Sequence, residues 1–189
     1  GLYCADFNLF KPNPTKKVNR KLLFVGRYLE FKGIFELWDA FVKLKSNQHS
    51  KWELHCAGNG DLWENRTLHE SIVHHGFLQP AELAKVVHEC DAFVLPSHKE
   101  PWGVVVHEMA ASGLALLCSD KIGAAAAFLK EGKNGFTFEH KNSESLYKAI
   151  TKFTELEDSE ILKMGNHSLK MAQKITPEKW AQTALELID

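Results

Sequence analysis

Two glutamates eight positions apart, Glu100 and Glu108 in EPWGVVVHE, are the residues of this chain best placed by type and spacing to do chemistry. Paired carboxylates can share general acid and base work, hold a metal, or grip two parts of one ligand. A metal needs more ligands nearby. His107 adjoins Glu108, but Ala111 stands where the second histidine of a zinc-hydrolase helix would be. His74 and His75 are neighbours in a strand-like run and must face opposite sides of it. No metal site is expected. A second cluster lies in GRYLEFKG, where Arg27 and Lys32 share one loop that runs into a helix starting near Gly33. Two cations beside a helix N-terminus suit an anion, because the free N–H groups and the helix dipole add to the side-chain charges. Phosphate is the natural guest.

These residues need elements to hold them. Apolar runs of strand length, KLLFVG, WELHCAG, IVHHG, AFVLP, LALLCS and GFTFE, alternate with amphipathic stretches. Ile34, Leu37, Trp38, Phe41 and Leu44 repeat at helical spacing after the first strand. Pro80 suits the first turn of PAELAKVVHEC, and Ser143 is the expected N-cap of SESLYKAITKF. Strands alternating with helices imply βαβ units, and near-continuous apolar strands imply a sheet covered on both faces. The expected fold is α/β: a doubly wound, Rossmann-like six-stranded parallel sheet with helices on both faces. Such sheets bind ligands at the carboxyl ends of their strands. Both clusters pass that filter. AGNGDLW follows a strand as well, but it lacks the third glycine of the dinucleotide fingerprint and reads as a turn.

With the elements in place, the nine-residue stretch resolves. Glu100 is on the loop after the fourth strand, and Glu108 is on the helix VVVHEMAAS. Gly103 permits close backbone approach, and the N–H groups of Val104 and Val105 are left free by the helix itself. A diphosphate fits there. At 1.5 Å per residue Glu108 lies roughly 6 to 8 Å further along, about the reach of a ribose. One nucleotide-linked ligand would then span both carboxylates. Taken singly, Glu108 could be an ordinary helix residue and Glu100 a loop charge paired with Lys99. A glycoside hydrolase using Glu100 and Glu108 as its two carboxylates also stays open. Trp102 lines the pocket or seals the loop, with packing preferred, and His98 and His107 read as structural.

Composition excludes other classes. The 189 residues make one large domain. With 23 Lys+Arg against 24 Asp+Glu, there is no basic field for a nucleic acid. No apolar run approaches the roughly 18 residues of a membrane span. Cys4, Cys56, Cys90 and Cys118 show no CxxC spacing, so reduced thiols in a cytoplasmic protein are expected. The chain begins GLYCADFNLF, without an initiator Met or the order of a signal peptide, and is expected to be a piece of a longer protein.

EPWGVVVHEMAASGLAL resembles the E-x7-E motif of retaining glycosyltransferases of the GT-B fold, most closely their family 4. GRYLEFKG is similar to that family's Arg and Lys pair, and HHGFLQPAELAKVVHECDAFVLPS and SDKIGAAAAFLKEGKNGFTFE resemble the runs before and after the motif. The resemblance covers almost the whole chain. It implies transfer of a sugar from a nucleotide-diphosphate donor to an acceptor, with retention and without a metal or other cofactor. Arg27 and Lys32 would neutralise the diphosphate, Glu100 would contact the sugar, and Glu108 would hold the ribose. Gly26, Gly103, Val104, Val105 and Leu78 would complete the substrate-binding set, Leu78 through a backbone contact to the base. Where many relatives carry a glutamate in the loop after the fifth strand, this chain has Ala124 to Ala127. That departure keeps open a catalytically silent nucleotide-binding or interaction domain.

The resemblance also divides the chain. Residues 1–20 would enter from an N-terminal acceptor domain, residues 21–175 would bind the nucleotide sugar, and residues 176–189 would form a helix packing back toward the acceptor domain. That domain is the expected partner, and any membrane association would run through it. An apolar stripe of Trp180, Ala184 and Leu187 on the last helix would be partly uncovered.

Overall fold

The computed structural model describes residues 4–47 and 50–186, without the side chains of Trp180, Thr183 and Ala184. Six strands form one parallel sheet: β1 (Lys21–Val25), β2 (Glu53–Ala57), β3 (Ile72–Gly76), β4 (Ala92–Leu95), β5 (Ala115–Ser119) and β6 (Gly135–Phe138). Their order is β3-β2-β1-β4-β5-β6. Every strand anticipated from its apolar run is present. β4 and β5 are buried along their whole length, as central strands covered on two faces must be.

Helices α1 (Ile34–Asn47), α2 (Pro80–Glu89), α3 (Val104–Ala111), α4 (Gly123–Phe128), α5 (Ser143–Thr154), α6 (Asp158–Ala172) and α7 (Pro177–Glu186) complete the chain. α1 packs on α5, while α3, α4 and α6 pack on one another, with α3 against β4 and β5 and α6 against β5. The Lys43 ammonium joins the first pair, meeting Glu144 and lying 4.3 Å from the centre of the Tyr147 ring. Pro80 opens α2 as expected, and Gln79 and Glu82 form a reciprocal capping box there.

Three expectations change. Ser143 is the first residue of α5, and Asn142 is its cap, accepting from Ser145 N–H at 2.9 Å. The amide oxygen of Asn142 reaches the third helical N–H, which a serine one position later would miss. The alanine run after β5 is not loop but α4, and alanine is the best helix former. α6 was not anticipated, because Gly165, Asn166 and Ser168 break its pattern. Gly165 sits where a Cβ would stand 2.2 Å from Gly113 O, so the backbones of α6 and the α3–β5 turn touch there. The expected stripe of Trp180, Ala184 and Leu187 falls outside the described residues. On the same helix, Leu185 is exposed.

At the switch in strand order, β1 and β4 pair in register only at Leu22–Ala92 and Leu23–Phe93. Beyond these pairs, toward the carboxyl ends, the post-β1 and post-β4 loops begin. That is the crevice such a sheet offers to a ligand.

Candidate functional site

The two clusters, far apart in sequence, meet across this crevice. After β1 the chain makes a short 3-10 turn (Glu30–Lys32) that ends at Gly33 in the left-handed region, φ +67°. A Cβ on Gly33 would lie 2.3 Å from Pro96 O, so the glycine lets the post-β1 turn touch the end of β4. His98 N–H donates to Phe31 O at 2.8 Å, and His98 Nε2 lies 2.6 Å from Glu36 Oε1. These contacts set Lys32 against Glu100, and the two form an ion pair with side chains 18% and 19% exposed. Glu100 therefore pairs with Lys32 across the crevice and not with its neighbour Lys99.

The backbone of Glu100 is braced from the other side. Its N–H donates to Lys121 O, and its carbonyl accepts from Gly123 N–H, both at 3.0 Å. Gly103 adopts φ +89°, and a Cβ there would come within 2.9 Å of Glu100 Cγ. The glycine thus lets Glu100 lie against the start of α3. Val104 and Val105 head that helix, where no preceding turn supplies acceptors for their N–H groups. The first bond of the helix runs from Val106 N–H to Gly103 O. A carboxylate, an ammonium and a helix N-terminus therefore share one end of the sheet.

Glu108 follows one turn later and is half-buried. Its carboxylate takes no hydrogen bond or ion pair among the described residues. Burial, with a smaller contribution from the charge of Asp6, pushes its pKa up. A carboxylate in that state gains from any hydroxyl donor brought to it.

Across the switch point, a cavity of about 260 Å³ opens at the carboxyl ends of β1, β2 and β3. Gly26, Arg27 and Leu78 line it, as do Gly58, Asn59 and Phe77. Its wall is mostly apolar, and the Phe77 ring is 66% exposed. Arg27 is exposed and makes no ion pair among the described residues. A flat aromatic group could enter here while its charged tail turns toward Arg27. So Gly26, Arg27 and Leu78 gather on one side, and Lys32, Glu100, Gly103, Val104, Val105 and Glu108 on the other.

Sequence reasoning missed Gly58, Asn59 and Asp6. Gly58 and Asn59 directly follow β2, so the post-strand rule could have found them. AGNGDLW was read only as a turn. Gly58, with φ +136°, passes so near Gly26 O that a Cβ would stand 1.9 Å away, and this approach shapes the cavity floor. Asp6 lies in YCADFNLFKP, which was read only as the entry segment.

The remaining candidates serve the fold. His107 is buried, accepts from Ala5 N–H at Nδ1, and lies 3.0 Å from Ala172 O through Nε2, with its ring stacked on Phe128. Burial lowers its pKa, and the neutral tautomer with a proton on Nε2 satisfies both bonds. Trp102 packs edge-on to Phe128. His74 bonds Tyr28 and Thr67, while His75 bonds His55, so the two adjacent rings face different neighbours. Among the described residues no three His, Cys, Asp or Glu side chains gather as a metal-ligating group. Nor is any described helix long and apolar enough to cross a membrane.

The family model described as glycosyl transferases group 1 matches residues 6–173. Over 137 residues the chain is 31% identical to glycogen synthase of Mycobacterium tuberculosis, covering 69% of this chain and 33% of that protein. The C-terminal domain of a glycosyl transferase group 1 family protein from Francisella tularensis superposes with a TM-score of 0.78 at 19% identity. That match covers 90% of this chain and 97% of the other. Anabaena HepE, solved in complex with UDP and glucose, superposes with a TM-score of 0.80 at 20% identity, over 98% of this chain and 55% of that one. The chain spans about a third to a half of the length of the curated relatives it matches.

Proposed function

Because this chain belongs to the glycosyl transferases group 1 family, we propose that it is the donor-binding half of a retaining, metal-independent glycosyltransferase that moves a sugar from a nucleoside diphosphate to an acceptor. The observation that carries this reading is Glu108: a half-buried carboxylate without a donor, one turn beyond a helix N-terminus that lies against Glu100. A ribose diol would supply the missing donors. The base would enter the cavity lined by Gly26, Leu78 and Phe77. The diphosphate would lie over Gly103, Val104 and Val105, neutralised by Arg27 and Lys32, and the sugar would reach Glu100. UDP bound to a protein of this fold supports the same reading.

As the sugar bond breaks, negative charge builds on the leaving diphosphate. Fixed N–H groups and cations aimed at it stabilise the transition state more than the ground state. A hydrolase using Glu100 and Glu108 is disfavoured, since Lys32 engages the first and the opening turn of α3 intervenes before the second. Residues 1–20 and 176–189 are proposed to lead to, and pack toward, an acceptor domain that is this half's partner, in a cytoplasmic protein. Alone, this half would bind donor without transferring sugar.

The test is a thermal-shift screen of this chain with UDP, GDP and ADP. One of them is expected to raise Tm by several degrees at saturation, and Glu108→Ala to abolish that rise. Binding of none at millimolar concentration, with Glu108→Ala indistinguishable from wild type, would sink the reading.

A further inference from the structure

We infer that the Lys32–Glu100 ion pair makes this site discriminate against the spent nucleoside diphosphate, so that Glu100 is a specificity-determining residue. The inference rests on the donor-binding reading above and deepens it.

Lys32 is already engaged in the ligand-free chain. Its ammonium meets Glu100, and both side chains are more than four-fifths covered. The pair is built rather than incidental. Lys32 sits on a turn closed by its own N–H to Leu29 O and by Gly33 N–H to Glu30 O. Glu100 is braced by Lys121 and Gly123, and Gly103 makes room for its side chain. Arg27, by contrast, is exposed and unpaired among the described residues. The site therefore holds one cation open to any phosphate and one whose charge is already matched.

Donor and product differ where the matched cation stands. The terminal phosphate of a nucleoside diphosphate has a second pKa of about 6, so near neutral pH it carries one more negative charge than the same phosphate esterified to a sugar. A lone lysine would favour the more charged product, and the enzyme half would hold what it must release. Glu100 reverses that preference. Its carboxylate repels the extra charge, and these side chains are shielded enough from water for the repulsion to count. A phosphate that draws Lys32 away also leaves Glu100 without its partner. The donor brings sugar hydroxyls to fill that place; the bare diphosphate brings nothing.

Glu100→Gln keeps the shape of the side chain and removes its charge. Titration calorimetry of this chain at pH 7.5 with UDP, GDP and ADP, and with the matching monophosphates, reads the consequence. For the nucleotide that binds, Glu100→Gln is expected to tighten the diphosphate about tenfold and the monophosphate, one phosphate shorter, by less. In a Lys32→Ala background Glu100 keeps its charge without its partner, so the same substitution is expected to tighten the diphosphate there as well. Diphosphate affinity that is unchanged or weaker in Glu100→Gln overturns the inference, as does equal tightening of the monophosphate. If wild type binds none of the three diphosphates, the donor-binding reading fails and takes this inference with it. If wild type binds and Glu100→Gln does not tighten, only the inference fails.

Discussion

Glu108 is held where its own charge is disfavoured. Burial raises its pKa, and Asp6 adds to the shift. An unfolded glutamate titrates near about 4.3. Between that value and the raised one, the folded chain binds more protons than the unfolded chain. Stability from this residue is therefore fully present below the unfolded pKa and is lost as pH rises through the folded one. Above the raised pKa the ionised Glu108 destabilises the ligand-free chain. Glu108→Gln, which keeps the shape and removes the charge, is expected to raise Tm at pH 7. The gain should vanish near pH 4. Scanning calorimetry at the two pH values checks this, and a lower Tm at pH 7 would refute it. Residue types and post-strand positions were enough to single out Glu100, Glu108, Arg27 and Lys32. The pairing of Lys32 with Glu100 was not legible, because 68 positions separate them and only the sheet order brings their loops together. Asp6 was hidden for another reason: YCADFNLFKP was read as the entry segment of this half, and that reading assigned it no site residue.

The strands were the most legible elements, since each is a short apolar run closed by a turn residue. Helices were legible where a strong stripe or a proline marked them, as in α1 and α2. They were obscured where close backbone approach demanded small or polar residues, as at Gly165 in α6. The cap of α5 shows how one position changes the energetics. Asn142 accepts from Ser145 N–H, while Ser143 is already helical. Asn142→Ala should therefore destabilise the chain by about 1 kcal/mol, and Ser143→Ala by only a few tenths. Urea unfolding of the two variants decides between the residues, and equal losses would return the cap to Ser143.

In the molecule as a whole, strand order, layering and family membership agree, and the apolar pattern made that architecture readable before any side-chain contact was known. The pattern could not show how the two sides of the sheet are joined. β3, β2 and β1 make one half and β4, β5 and β6 the other, and their shared ladder holds register only at Leu22–Ala92 and Leu23–Phe93. α1 on α5 clasps the halves from one layer. The cavity lined by Gly26, Arg27 and Leu78 belongs to the first half, and α3 with Glu108 to the second. A nucleotide lying across both would act as a rivet through the seam with the fewest paired residues. Amide hydrogen exchange should then slow in β1 and β4 together when nucleotide binds, with less change at the outer strands β3 and β6. Protection confined to one half would mean that the ligand rests on a single side. On the proposed reading, in which this half takes up and releases a donor at every turnover, that seam would make occupancy of the site a mechanical property of the domain, stiff when loaded and compliant when empty.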